Sequence, residues 1–596
     1  MWQNEKVNQE AHGVPVSPES PSSVRAVDFA ANTNGCHGEQ AGVQKAVALR
    51  QYMSKNVFAI VFIALILTMF ADRFVVYTSS TYNAYATSAF SQHSLLSAAA
   101  VVSDIAQLCA YPIIAKIEDA IGRAEGFALA TLLYVVGSVM SAACPNAETY
   151  VVAGIFNAWG NTGFLLTEQI FVAETVSKAN RGLLSAIPTS ITGIAVLIAG
   201  SIAAGKIVVT AGWRWGYGIF AIMLPVCAAP LVTLLLVLQH KAMQVYGVAS
   251  TKSDGKEDET QHRRVWSRVA VYVWVELDMP GALLLMAGSA LVLIPLSLTG
   301  SSHSDRWQSP SLIAMLVIGA GCLACLVIWD GWHAKKPIIP LSLLRQRTIV
   351  AACLLGLFDA LSLSLFKTFF PSFLQVAGGY TPGDASLVNN SVFISFQVAR
   401  LLAGVVIRWS KRPLIWIYIG VPLGMLGQGL MIRFTNMADG DIANRASLVV
   451  ARSLMGLARG LHHTAALVAV QCDVTNQDLS MATALFLALV TVGGAIGESV
   501  GGAVWQATLR RKLGEYLPAD AKSSTNKIFG SLVVAKTYTE GTGVRIAINH
   551  AYRDSMSLLA LVSTACMVPM LVVMLGIKNM NLREVKEEKD EETEKQ

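Results

Sequence analysis

The side chains most able to do chemistry in this chain are charged groups set inside runs of apolar sequence. Asp72, Arg73, Asp104, Glu168, Asp359, Lys367, Arg400, Arg452, Arg459 and Glu498 each interrupt such a stretch. An ionisable group in a membrane span costs at least ~2.5 to 3.5 kcal/mol unless it faces a cavity or a partner, so each position needs a reason. A carboxylate there can exchange a proton as its surroundings gain and lose water, which makes Asp72, Glu168 and Asp359 the candidates for proton coupling. The opposing reading is an ion pair that holds helices together. Asp72 and Arg73 are neighbours, about 100° apart on a helix, and need not touch. Asp359 and Lys367 share a helix face but stand about two turns apart, too far for a direct pair. Tyr82, Tyr85, Trp159, Phe366, Phe369, Gln397 and Arg400 are candidates to line a wide cavity, with ring, amide and guanidinium groups to read a ligand.

The elements that must position these residues are membrane helices. About fourteen apolar stretches of nearly the ~20 residues needed to cross a bilayer run from Val57 to Ile577. Composition agrees: 54% of residues are hydrophobic, 14% are charged and 47 are glycine, which suits helices packed closely in lipid. Basic residues fall in alternate connections: Lys116 and Arg123, Lys178 and Arg181, Lys335 to Arg347, then Arg408, Lys411 and Arg412. Positive charge is retained on the cytoplasmic side, so these loops and both termini are expected in the cytosol. The net charge of +6 follows this pattern and gives no sign of a nucleic-acid surface. Residues 1–56 read as a disordered tail and 578–596 as a charged tail; 241–278 is a polar linker and 508–553 a long extracytoplasmic loop. Cys322 and Cys325 have CxxC spacing but sit in a span, where small packing residues are the simpler reading; no metal site, cofactor or disulfide is assigned. No nucleotide-binding G-x-x-x-x-G-K-[ST] loop is present, which argues against an ATP-driven machine, and no catalytic triad is legible, so an enzyme is not expected.

The connection after the second stretch reads AKIEDAIGRAEGF from Ala115. Asp119, Gly122 and Arg123 resemble the G-x-x-x-D-x-x-G-R signature of the major facilitator superfamily, with Ala115 in place of the first glycine. Glycine permits the tight turn, while Asp and Arg can latch neighbouring elements into one arrangement. Further strings, YATSAF from Tyr85, TEQIFVAET from Thr167, NRGLLSAIP from Asn180, WRWGYG from Trp213, ELDMPGALLL from Glu276, KKPIIPLSLLRQRT from Lys335 and TALFLALVTVGGAIGESVGGAVW ending at Trp505, resemble the fungal siderophore iron transporters of that superfamily.

The resemblance covers about residues 57 to 577. It implies an all-α integral membrane fold of about fourteen transmembrane helices: a six-helix bundle over 57–240, a helix pair over 279–332 and a second six-helix bundle over 333–577. It implies alternating access driven by protons, with a ferric hydroxamate siderophore as cargo, at the plasma membrane or an endosomal or vacuolar one. Since the chelate fills the iron coordination sphere, His462 and His463 are not assigned as iron ligands. Two features depart from the family: Glu168 stands where a glutamine is frequent, and Arg459 where a small residue is common. Export of a small molecule such as glutathione or a secondary metabolite is the alternative, although the fifth stretch has no proline within SITGIAVLIAGSIAAGKI, where drug-proton antiporters carry G-P-x-x-G-G. The residues set neither the direction of transport nor an oligomeric state.

Overall fold

The computed structural model describes residues 41–89, 94–245, 274–275, 277–298, 309–334, 337–436, 444–530 and 532–582, and every regular element among them is helical. Fourteen helices of 19 residues or more follow one another: α1 Lys55–Ala89, α2 Ser94–Ile121, α3 Arg123–Ala143, α4 Ala147–Thr175, α5 Arg181–Thr210, α6 Gly212–Val245, α7 Met279–Leu298, α8 Pro310–Ile328, α9 Arg347–Lys367, α10 Pro382–Ser410, α11 Pro413–Thr435, α12 Arg445–Cys472, α13 Leu479–Tyr516 and α14 Gly543–Val573. In α1 the periodicity separates two stripes. Val61, Leu65, Met69 and Asp72 are buried, whereas Ile60, Ile63 and Leu67 are exposed, as expected of a helix with one face in the protein and one in lipid. Asn146, Thr381, Asn444 and Thr542 cap α4, α10, α12 and α14 by accepting from backbone N–H groups, all at the end opposite the basic loops.

Nine stretches among the described residues are long and apolar enough to cross a membrane. Of the other long helices, α5 and α7 hold shorter apolar segments, while α2, α4 and α12 carry the buried charges Glu118, Asp119, Glu168, Glu174 and Arg452. Helices that line an interior need not be apolar all round.

The packing repeats. In the first half α1 packs on α5 and α6, α3 on α4 and α6, α2 on α4, and α5 on α6; in the second half the same pairs recur between α9 and α14. This is two six-helix bundles of one plan. They meet along two seams, α5 with α10 and α2 with α13, which exchange under the repeat. Helix α7 lies over the α2–α13 seam and α8 packs on α7. Small residues allow the closest contacts. A Cβ on Gly493, Gly497 or Gly501 of α13 would stand 2.1, 2.4 and 2.9 Å from the carbonyl oxygens of Leu357, Leu361 and Leu365 on α9, so the glycine-rich string is a backbone contact surface at four-residue spacing.

Three expectations change. Residues 41–52, expected as part of a disordered tail, form a helix, Ala41–Tyr52, with Val43, Ala48 and Leu49 buried; residues 1–40 and 583–596 lie outside the described residues. Two short hydrophobic patches sufficed to dock the segment, too little to show as periodicity. The connection expected at 508–553 is shorter, because α13 continues to Tyr516 and α14 begins at Gly543. Between them, short helices including Thr525–Gly530 and Leu532–Thr537 bury Ile528 and Ala535. Most of the 241–278 linker is outside the described residues, but its first residues continue α6.

Candidate functional site

At the basic end the turn between α2 and α3 reaches across to the second half. Gly122 has φ of 122°, a conformation that side chains other than glycine rarely adopt. That turn lets α3 begin with Arg123 buried beneath it. Arg123 pairs with Glu174 of α4 through both Nε, at 3.0 Å, and Nη2, and with Asp119 at 2.9 Å. Its Nη2 also donates to Ser480 Oγ at 3.0 Å, and Ser480 donates to Asp119 Oδ1 at 2.6 Å. Ser480 belongs to the first turn of α13, so the cluster joins the halves. Arg181 adds a second bridge by donating to the Gln471 carbonyl at 2.6 Å, and Lys178 lies 3.3 Å from that of Cys472. Both cations meet the negative end of α12. The helix Ala41–Tyr52 braces the turn from outside: Lys45 contacts Glu125 at 2.7 Å and the Ile121 carbonyl at 2.5 Å.

Farther in, charges from both halves gather. Asp72 pairs with Arg73 and accepts from Asn161 Nδ2 at 2.8 Å; adjacent residues here do touch, because the long arginine folds back over its neighbour. Glu168 is fully buried, with Oε2 accepting from Gln169 and no hydrogen bond to Oε1. Among the described residues it forms no ion pair; Arg400 of α10 and Arg73 of α1 are the cations within Coulombic range. Asp359 is gripped by Arg459 Nε at 2.6 Å, and His462 Nε2 lies 3.1 Å from its other oxygen. The guanidinium groups of Arg400 and Arg459 both lie over the Phe396 ring, 5.8 and 5.2 Å from its centre. Lys367 pairs with Glu498 at 3.1 Å, which confirms that it is not the partner of Asp359. Buried Arg452 donates to the Asn389 carbonyl and side chain at 3.1 and 2.9 Å and stacks on Phe366 and Phe370.

The candidate cavity residues divide. Gln397 accepts from Ser190 at 3.1 Å and Arg400 donates to Thr189 at 3.0 Å, both across the α5–α10 seam. Trp159 is partly buried against the core shared by the halves. Tyr82 and Phe366 are both fully buried in this conformation, Tyr82 against Tyr217 and Phe220, Phe366 against Phe370. Phe369 stacks on Trp505 with 4.9 Å between ring centres. Their size and apolarity favoured interior packing over exposure. The Tyr85 side chain lies outside the described residues. His462 faces Asp359, while His463 packs against Phe396 and Phe486.

Sequence reasoning missed Glu174, Ser480 and Asn161. Glu174 lies seven residues before Arg181 in a quoted string, yet only the fold brings it to Arg123. Ser480 is an ordinary serine after a turn, with no signal in its type.

Two bundles of one plan, latched at one end and charged at the centre, define a transporter fold. The chain belongs to the major facilitator superfamily, whose family model matches residues 61–497, and within it to the siderophore iron transporters. It is 33% identical to the siderophore iron transporter mirC of Emericella nidulans, over 96% of this chain and 91% of that protein. It is 32% identical to MFS siderochrome iron transporter C of Aspergillus fumigatus, over 92% and 88%. Siderophore iron transporter 1 of Schizosaccharomyces pombe is 30% identical, over 92% and 86%.

Proposed function

We propose that this chain is a secondary active transporter that carries ferric hydroxamate siderophores into the cytosol together with protons. The observation that carries the mechanism is that buried carboxylates and their guanidinium groups stand in both halves, Asp72, Arg73 and Glu168 in the first and Asp359, Arg459 and Arg400 in the second, with Arg400 reaching across to Thr189, above an end already latched shut. By the distribution of basic loops that end is cytoplasmic, as are the termini. Release of the latch lets the bundles rock, and water then reaches the charges from the other side. Glu168 is the first choice for the moving proton, because it alone of the three carboxylates has no ion pair closing it off. Asp72 and Asp359 hold and orient their arginines. The relatives' names support the cargo class, and the plasma membrane fits a protein that gathers chelates from outside.

The test is accumulation of radiolabelled iron, offered as several hydroxamate chelates, in a fungal strain without its own siderophore carriers. Uptake that depends on this protein and stops when the proton gradient is collapsed is the expected result. Glu168→Gln should then bind chelate and lose gradient dependence, whereas no accumulation by protein at the cell surface refutes uptake of those chelates there.

A further inference from the structure

The first half contains a cavity of about 280 Å³ whose described lining includes none of Tyr82, Trp159, Phe366, Phe369, Gln397 and Arg400. Its walls come from α1, α2, α3, α4 and α6, so it lies within one bundle and not between the two. Tyr150, Gly154, Asn157 and Asn161 form one stripe of α4 along it, about 16 Å at 1.5 Å per residue. It runs from the end opposite the latch down toward the central charges. Gln107, Ser141, Tyr134 and Tyr217 supply further polar surface, and among the described residues no charged side chain lines it. Asn157 donates to Ser141 at 3.2 Å and accepts from Ser138 at 3.4 Å, and the Tyr150 and Tyr217 hydroxyls are 2.7 Å apart.

The inner wall is tied to the charges. Asn161, which lines the cavity, donates to Asp72. A ligand that takes a hydrogen bond from Asn161 therefore competes with Asp72 for the same donor.

We infer that this cavity is a subsite for an uncharged, amide- and hydroxamate-bearing arm of the chelate, and that Asn161 reports its occupancy to Asp72. The inference rests on the cargo class proposed above. A tris-hydroxamate complex of Fe(III) has no net charge, because three singly negative oxygens balance the ion, and a neutral lining of donors and acceptors suits it. A cationic or anionic group would enter without a counter-charge. The volume is near the lower end of small-molecule pockets, on the order of 300 Å³, which fits an arm and not a whole complex. The set of amides and phenols along one wall distinguishes it from packing space, since an apolar void would need none of them.

The experiment measures binding of two gallium(III) tris-hydroxamates to purified full-length protein in lipid nanodiscs, one neutral and one carrying a free ammonium group. Asn157→Asp should weaken the neutral complex at least tenfold and tighten the cationic one. Gln107→Leu should weaken the neutral complex without favouring the cationic one. Asn161→Ala should bind the neutral complex less tightly and lose chelate-induced proton uptake. Wild-type binding with both constants unchanged within twofold in Asn157→Asp and Gln107→Leu, in protein that remains monodisperse, overturns the subsite. Failure of wild-type protein to bind either complex overturns the cargo class itself, so the two failures are distinguishable.

Discussion

Ser480→Ala isolates the latch with the least damage to its surroundings. The hydroxyl makes two bonds between the halves, one from Arg123 and one to Asp119, while Arg123 keeps Glu174 and Asp119 as partners within its own half. Hydrogen bonds to charged groups are each worth about 1.5 to 3 kcal/mol, and removing a buried partner leaves a desolvation cost. When the latch opens, water replaces the serine, so only the difference between the two conformations counts. We take it as about 2 kcal/mol, which at 1.4 kcal/mol per factor of ten moves the equilibrium about thirty-fold toward the conformation open at the basic end. Spin labels at Ser177 and Asn476, exposed residues on loops of the first and second halves, report it by pulsed dipolar distance measurement in nanodiscs. A longer-distance population should grow in the variant. Ser499→Ala is the control, because that buried hydroxyl donates to the Ala495 carbonyl of its own helix. A distance distribution unchanged within threefold, or the same shift in the control, refutes the assignment of Ser480 as a bridge.

Other consequences follow from packing and charge. Asp359→Asn strands Arg459 in the interior and should lower stability by about 3 to 5 kcal/mol. Adding Arg459→Gln should recover most of it, read as the thermal midpoint in detergent; a double variant no more stable than Asp359→Asn removes the pairing argument. Gly497→Ala should destabilise by about 1 to 3 kcal/mol, since its Cβ would stand 2.4 Å from the Leu361 carbonyl, and a thermal midpoint equal to wild type contradicts that contact. Asp278 accepts from Trp329 Nε1 at 2.8 Å, Ile338 N at 3.1 Å and Gly281 N at 3.3 Å, joining the ends of α7 and α8 to the approach to α9. Asp278→Ala should expose the 337–346 segment to limited proteolysis at least tenfold faster, with Asp278→Asn intermediate; equal cleavage rates dismiss the junction.

Hydropathy and charge alternation announced a membrane protein because the bilayer leaves the chain little choice: backbone groups must bond within helices, and unpaired charge is penalised wherever it falls. For the same reason Glu168, Asp359 and Arg400 stood out one by one. The signature Asp119, Gly122 and Arg123 was legible because its turn is local, and Gly122 has the backbone angle that the turn requires. The strings ELDMPG and KKPIIP were visible as text, but their meeting at Asp278 belongs to the fold. Partner choice also waited for the fold. Arg123 meets Ser480 across 357 residues of sequence and Asp359 meets Arg459 across 100, and no spacing rule reaches that far. Tyr82 and Phe366 show the other side of the same fact: an aromatic ring suits a cavity wall and a core equally, and only its neighbours decide. The sequence alone determined that charges would sit inside helices in lipid, because transfer from water depends on residue type. The tertiary structure decided which of those charges became pairs, latch or open site, because Coulomb energy and hydrogen bonding depend on distances that only the assembled bundles set.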